Sequence, residues 1–143
     1  MSDYTGSSID HLNITVTDLD ASRAFYDAVL SVIGIETLLQ IPAGQDHPAM
    51  VGYGRHPKPF FWIADGDTTN TPELHVAFTV PSRELVHAFH AAALEHGAVV
   101  RIPPGTRPEY HGDYYGVFVE DPDGNNIEAV CHEPEGAEQP SGM

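Results

Sequence analysis

His11, His75 and Glu128 are the residues of this chain whose types could do chemistry together. Two imidazoles and one carboxylate make a donor set that grips one side of a divalent ion and leaves the other side open to water or substrate. Such an ion would also favour the anionic form of Glu128 and offset the cost of taking it out of water. Taken singly, the three are weak signals. A strand histidine is more often a hydrogen-bonded structural residue than a ligand, and a lone glutamate can sit solvated on an exposed sheet face. Their mutual placement raises the metal reading, and that placement rests on a duplication.

Residues 11–30, "HLNITVTDLDASRAFYDAVL", laid over residues 75–94, "HVAFTVPSRELVHAFHAAAL", give seven identities in twenty without a gap, at an offset of 64. The matches include His11/His75, Thr15/Thr79 and Phe25/Phe89. Internal repeats of this length mark a duplicated supersecondary unit. Each copy begins with period-two alternation and then changes to a helical pattern after a capping candidate, Asp20 or Ser82. Gly34 and Gly97 stand where the helices should stop. Segments rich in β-formers follow, at 35–41, 49–54 and 59–64 in the first copy and at 98–102, 114–120 and 126–131 in the second. The fold class is therefore α+β, a βαβββ module written twice. The expected layout is a flexible N-terminus over 1–8, modules over 9–66 and 74–132 joined by a 67–73 linker, and a flexible acidic tail over 133–143.

The elements fix which way the three residues face. Side chains alternate across a strand, so Leu12, Ile14 and Val16 share one face and His11, Asn13 and Thr15 the other. The same split puts His75, Ala77 and Thr79 opposite Val76 and Phe78. In the last strand Ile127, Ala129 and Cys131 share a face, and Glu128 turns away from them with Asn126 and Val130. "DPDGNN" reads as the tight turn before that strand, with Gly124 supplying positive φ and fixing the register that turns Glu128 inward. The triad leans towards Fe(II), with Mn, Zn, Ni and Co as alternatives. Affinity order does not identify the physiological metal. The ion would act as Lewis acid and template for a small substrate.

Around this set stand further candidates. His111, with Tyr110, Tyr114 and Tyr115 beside it, could present a proton donor to a bound oxygen, or the segment could be an aromatic loop over the mouth of the site. Arg107 could bind a substrate carboxylate, or be a surface arginine. Trp62 could form an apolar wall of a pocket or simple core. His87 and His90, one helical turn apart, read as a solvated helix face.

Composition excludes other classes. Six Lys and Arg against 21 Asp and Glu give a formal charge of −15, which repels phosphate backbones and anionic lipid, so no nucleic-acid partner is expected. No apolar run approaches the roughly 20 residues that cross a bilayer, so no membrane partner is expected either. The lone Cys131 cannot form an internal disulfide and no signal-like segment opens the sequence; a cytoplasmic location is expected.

The paired units, with "DHLNITVTDLDASRAFY" at the start, "LHVAFTV" in the middle and "FVEDPDGNNIEAV" at the end, resemble the vicinal oxygen chelate superfamily. That superfamily includes glyoxalase I, type I extradiol dioxygenases, fosfomycin-resistance proteins and bleomycin-resistance proteins. The resemblance covers about residues 9–132. It implies metal ligands at His11, His75 and Glu128, and an open, curved mixed sheet around a central cavity, paired within one chain or by exchange in a homodimer. Glyoxalase I supplies a fourth ligand from the last strand of the first copy, where this chain has Trp62; indole can neither bind the metal nor shuttle a proton. The extradiol signature is matched by His111, Val117, Asp121, Pro122, Gly124 and Glu128, but Phe118 replaces the family's tyrosine and removes a hydroxyl that would contact substrate. Fosfomycin transfer needs a cationic cradle, and "AVCHEPEGAEQ" after Glu128 holds no Lys or Arg. The resemblance thus implies a three-ligand metalloenzyme nearest the dioxygenase pattern, with a metal-free binder of the bleomycin-resistance type and a glyoxalase-like lyase or isomerase as the competing classes.

Overall fold

The change of period after each histidine is realised as a strand followed by a helix, twice. In the computed structural model, which describes residues 6–67, 70–71 and 74–135, strand β1 (Leu12–Val16) leads into helix α1 (Leu19–Ser31). Strands β2 (Glu36–Ile41), β3 (Met50–Arg55) and β4 (Lys58–Asp65) follow. The second copy repeats the order: β5 (His75–Thr79), α2 (Arg83–Glu95), β6 (Val100–Thr106), β7 (Tyr115–Glu120) and β8 (Asn126–Cys131). The segments expected as linker and termini reach outside the described residues at 1–5, 68–69, 72–73 and 136–143.

The sheet order is β1-β4-β3-β2 in the first module and β5-β8-β7-β6 in the second. β1 runs parallel to β4 and β5 parallel to β8, and the remaining pairs are antiparallel. The α+β two-module architecture is the one expected, built as two open, four-stranded mixed sheets. β5, which begins with His75, and β1, which His11 immediately precedes, both lie at sheet edges. The β1 edge is covered by Asn70, whose carboxamide accepts from Thr15 N–H at 3.1 Å and donates to the Thr15 carbonyl.

Local chemistry sets most boundaries. Asp18, not Asp20, caps α1: its backbone is extended and its carboxylate accepts from the Ala21 N–H at 3.1 Å. Asp20 instead lies in the first turn, where its charge faces the positive end of the helix dipole. Ser82 caps α2 as expected, and Gly34 and Gly97 end the helices at φ +82° and +70°. β6 continues through Pro103 and Pro104 to Thr106, further than its expected end at 102. It can do so as an edge strand, where a missing N–H need not face a neighbour, and its pairing with β7 slips register twice.

The helix-facing sides of both sheets form the core, with Ile14, Val16 and Ile63 of the first module and Val76, Val117, Val119, Ile127 and Ala129 of the second all buried. The modules are joined through this interior. Helix α1 packs on α2, Phe61 meets Phe78 edge-on at 5.2 Å, and Tyr26 of α1 donates to Asp121 Oδ2 of the β7–β8 turn at 2.6 Å. Among the described residues no helix is long and apolar enough to cross a membrane.

Candidate functional site

Alternation along β8 sends Ile127, Ala129 and Cys131 to the core, which leaves Glu128 on the other face. Register places Glu128 in a row with Ala77 of β5 and Phe118 of β7. The Glu128 side chain is fully buried. Its Oε1 lies 2.7 Å from His75 Nε2, and its Oε2 accepts from the Tyr114 hydroxyl. Beneath Oε2 is Gly116, where a Cβ would come within 2.8 Å of that oxygen. His75 is partly exposed and leans on the Phe118 ring at 5.5 Å between centroids. Burial raises the Glu128 carboxyl above the ordinary range, opposed by the hydrogen bonds from Tyr114 and His75 and by the charges of His75 and Arg107. Burial, then the bond to Glu128 and its charge, raises the Tyr114 phenol well above its usual value. Tyr114 therefore keeps its proton and serves Glu128 as a donor.

The first module presents the equivalent positions with different chemistry. Trp62 pairs with Asn13 as Glu128 pairs with Ala77, so the tryptophan occupies the place of the second module's carboxylate. Its indole lies over β3 at Gly52, where a Cβ would meet the ring at 2.7 Å. His11 precedes β1 and is exposed, with Nδ1 2.6 Å from Asp10 Oδ2. Asp10 is in turn gripped by Lys58 Nζ at 2.8 Å from each oxygen. The bond to His11 first, and Lys58 second, hold the Asp10 carboxyl below the usual range. A carboxylate on Nδ1 fixes the tautomer that leaves Nε2 for ligation, the usual arrangement behind a metal-bound histidine. His11 also borders a cleft of about 270 Å³, lined in addition by Phe60, Phe61, Val76 and Phe78.

His75 and Glu128 come together, and His11 does not join them within one chain. Among the described residues no group of three His, Cys, Asp or Glu side chains could hold a metal ion. The donor types are ones a divalent ion takes, and of the three candidates His75 and Glu128 meet within one chain.

The remaining candidates divide. Tyr115 shares its face with Val117 and Val119 and lies on the α2 side, where its hydroxyl is 2.7 Å from His87 Nε2 and Arg83 sits over its ring at 4.6 Å. Of the tyrosines beside the candidate donor His111, Tyr115 is thus turned from Glu128 and Tyr114 faces it. His111 Nδ1 accepts from the Asp113 N–H at 3.1 Å, and its Nε2 is 2.9 Å from His132 Nδ1. A backbone N–H can only donate, so the proton of neutral His111 is on Nε2 and goes to His132. Both ring nitrogens of His111 are engaged inside the protein. Burial first, and His111 second, push the His132 imidazole below its usual value. Tyr114 packs edge-on to both imidazoles, at 5.6 and 5.4 Å. Arg107 lies across from Tyr114, with its Nη2 2.6 Å from Glu109 Oε2.

Sequence reading missed Asp10, His132 and the clasp of Tyr114 on Glu128. Two of these carried a signal. Asp10 is adjacent to His11, and His132 is in phase with Glu128 and Val130 along an alternating strand.

The model of the Glyoxalase/Bleomycin resistance protein/Dioxygenase superfamily matches residues 8–129. No curated protein matches the chain. Among solved structures, a glyoxalase/bleomycin resistance protein from Albidiferax ferrireducens T118 is 32% identical, with a TM-score of 0.73 over 87% of this chain and 99% of that one. A glyoxylase/bleomycin resistance protein/dioxygenase domain from Frankia sp. EAN1pec superposes with a TM-score of 0.68 at 20% identity, covering 93% of this chain and 96% of its own. The fosfomycin resistance protein FosX from Listeria monocytogenes shares the fold at a TM-score of 0.63 and 19% identity, over 89% and 94% of the two chains. Repeated modules and a family match over residues 8–129, which takes in His11, His75 and Glu128, agree: this chain belongs to the glyoxalase/bleomycin resistance protein/dioxygenase superfamily.

Proposed function

We propose that the protein is a divalent-metal-dependent enzyme acting on a small substrate through two neighbouring oxygens, its metal held by His75 and Glu128 of one chain and His11 of a second copy. The superfamily includes enzymes and non-enzymes, and its members commonly use divalent metals and bind small molecules. The observation that carries the reading is the state of Glu128: a fully buried carboxylate with one oxygen clasped by Tyr114 and the other facing a partly exposed imidazole. Burying a carboxylate against the sheet is costly without a strong cationic partner. His11, already oriented through Asp10, is the matching donor of the duplicated unit, and its exposed imidazole just before β1 can be reached by a second copy.

When bound, the ion would supply Lewis acidity and a template for adjacent oxygens, with Fe(II) favoured by the two-histidine, one-carboxylate set. The residues of the chain do the rest. Tyr114 fixes Glu128 with Oε1 outward, Phe118 supports His75, and Phe118 and Trp62 give apolar walls to the two halves. The donor set lies nearest the dioxygenase pattern, with the lyase or isomerase class distinguished by substrate.

A second reading has its own observation. His75 and Glu128 satisfy each other directly at 2.7 Å, which suits a metal-free binding protein. Metal analysis separates the two. The enzyme reading expects stoichiometric metal in the purified protein, lost in His75→Ala and Glu128→Gln; wild-type protein without metal, folded and binding small aromatics, supports the binder. Oxygen uptake with a catechol panel, against proton exchange into an α-hydroxy ketone without oxygen uptake, then assigns the reaction.

A further inference from the structure

On the Glu128 side of the second sheet, β6 and β7 present opposed pairs of very unequal size. Gly105 lies opposite Gly116, and two positions further along Arg107 lies opposite Tyr114, joined by the Arg107 N–H to the Tyr114 carbonyl at 2.8 Å. Opposed residues of an antiparallel pair project to the same face. The floor beside Glu128 is thus bare over two positions, with Arg107 and Tyr114 standing at its end. A Cβ on Gly105 would meet nothing closer than the Pro103 carbonyl at 3.9 Å, so there is room above it.

Arg107 is only half satisfied. Its Nη2 pairs with Glu109, whose side chain is largely exposed, while its Nε is buried with no hydrogen-bond partner. Its charge reaches both Tyr114 and Glu128. Of the other basic side chains, Arg23 meets Gln40, Arg55 meets the Ile33 carbonyl, Lys58 meets Asp10 and Arg101 meets Glu120, while Arg83, whose Nε is likewise buried without a hydrogen-bond partner, lies over Tyr115 on the α2 side, away from Glu128. A buried donor left unpaired is costly, and Nε with Nη2 form the side-on fork that two oxygens of a planar anion match. One guanidinium in a chain of charge −15 balances a monoanion and leaves a phosphate dianion unneutralised.

We infer that the substrate carries a carboxylate, seated side-on on Arg107 above Gly105, and that Glu109 is an internal stand-in for it that is displaced on binding. This rests on the proposed use of the His75–Glu128 site for a small ligand and names its class. The Arg107–Glu109 pair engages one nitrogen of a half-buried guanidinium and leaves Nε unmet, so exchanging it for a ligand that satisfies both is favourable.

The test titrates the full-length protein, both chelator-stripped and loaded with Fe(II) or Zn(II), with benzoate, its neutral isostere benzamide, and inorganic phosphate. Benzoate is expected to bind and benzamide and phosphate to bind at least roughly 10-fold more weakly; Arg107→Ala should weaken benzoate roughly 10-fold or more. Glu109→Gln, a change at an exposed position that spares the fold, should tighten benzoate roughly 3-fold by removing the competitor. Absence of benzoate binding, equal binding of benzamide or phosphate, indifference to Arg107→Ala, or weakening by Glu109→Gln each overturn the inference. Benzoate binding that follows Arg107 in a protein taking up no metal would sink the metal reading and leave this one standing. Metal uptake with benzoate indifferent to Arg107 would do the reverse.

Discussion

At the scale of single residues, Tyr114 decides which oxygen of Glu128 faces outward. Its hydroxyl occupies Oε2 and leaves Oε1 towards His75. Removing the hydroxyl strands Oε2 in a buried site and frees the carboxylate to turn. Tyr114→Phe is therefore expected to lower metal affinity roughly 10-fold while leaving the fold intact, as read by competition with a chromophoric chelator. Wild-type affinity in that variant would mean the clasp does not position the ligand. Which tyrosine does this was legible in principle: alternation groups Tyr115 with Val117 and Val119, and Tyr114 with Gly116 and Phe118. That a phenol fourteen residues away reaches Glu128 was not, because it depends on how β7 folds back beside β8.

At the scale of elements, the β7–β8 turn and the loop before β7 hold the second module in register. Asp121 is buried and accepts from the Asp123 and Asn125 N–H groups, the Asn125 amide and the Tyr26 hydroxyl, all within 2.9 Å. Tyr26→Phe removes one of these and should cost about 1 kcal/mol of stability by denaturant titration. Burial first, and the Asp121 charge second, raise the Tyr26 phenol well above 10. The unfolded phenol ionises near pH 10, so this contribution is complete below that pH and is lost as pH climbs towards the folded value. Wild type should lose stability more steeply above pH 10 than Tyr26→Phe; parallel curves would contradict the assignment. His132 runs the other way. Its imidazole is depressed by burial and by His111, so its contribution is complete above about pH 6.5 and falls as pH drops through the folded value. Melting temperatures between pH 5 and 8 should show that loss in wild type and less of it in His132→Gln.

At the scale of the whole molecule, the two half-sites are chemically unequal copies of one module: His75 with Glu128, and His11 with Trp62 at the carboxylate's position. If a second copy supplies His11, variants with complementary lesions should rescue each other. In a dimer pairing His11→Ala with His75→Ala, one site lacks both histidines and the other has a full set. Equal mixing after reversible dissociation should restore about a quarter of the wild-type metal sites, counted by bound metal per chain. No restoration from such a mixture, with dimers demonstrably exchanged, would rule out sharing of the site between copies.

Much of this protein is written locally. The 64-residue repeat, the change from period two to helical period, the helix-stopping glycines and the "DPDG" turn determine two βαβββ modules and the inward face of Glu128, because side-chain alternation and glycine's φ freedom are properties of short segments. Phase counting fails where the backbone slips, as in β6, whose register shifts and edge position carry it past two prolines and bring Arg107 across from Tyr114. Long-range packing alone decided that His75 meets Glu128 while His11 stays apart from them, that Lys58 grips the Asp10 beside His11, and that His111 turns to His132. Distances between side chains far apart in the chain depend on how sheets and helices stack, which no local pattern specifies.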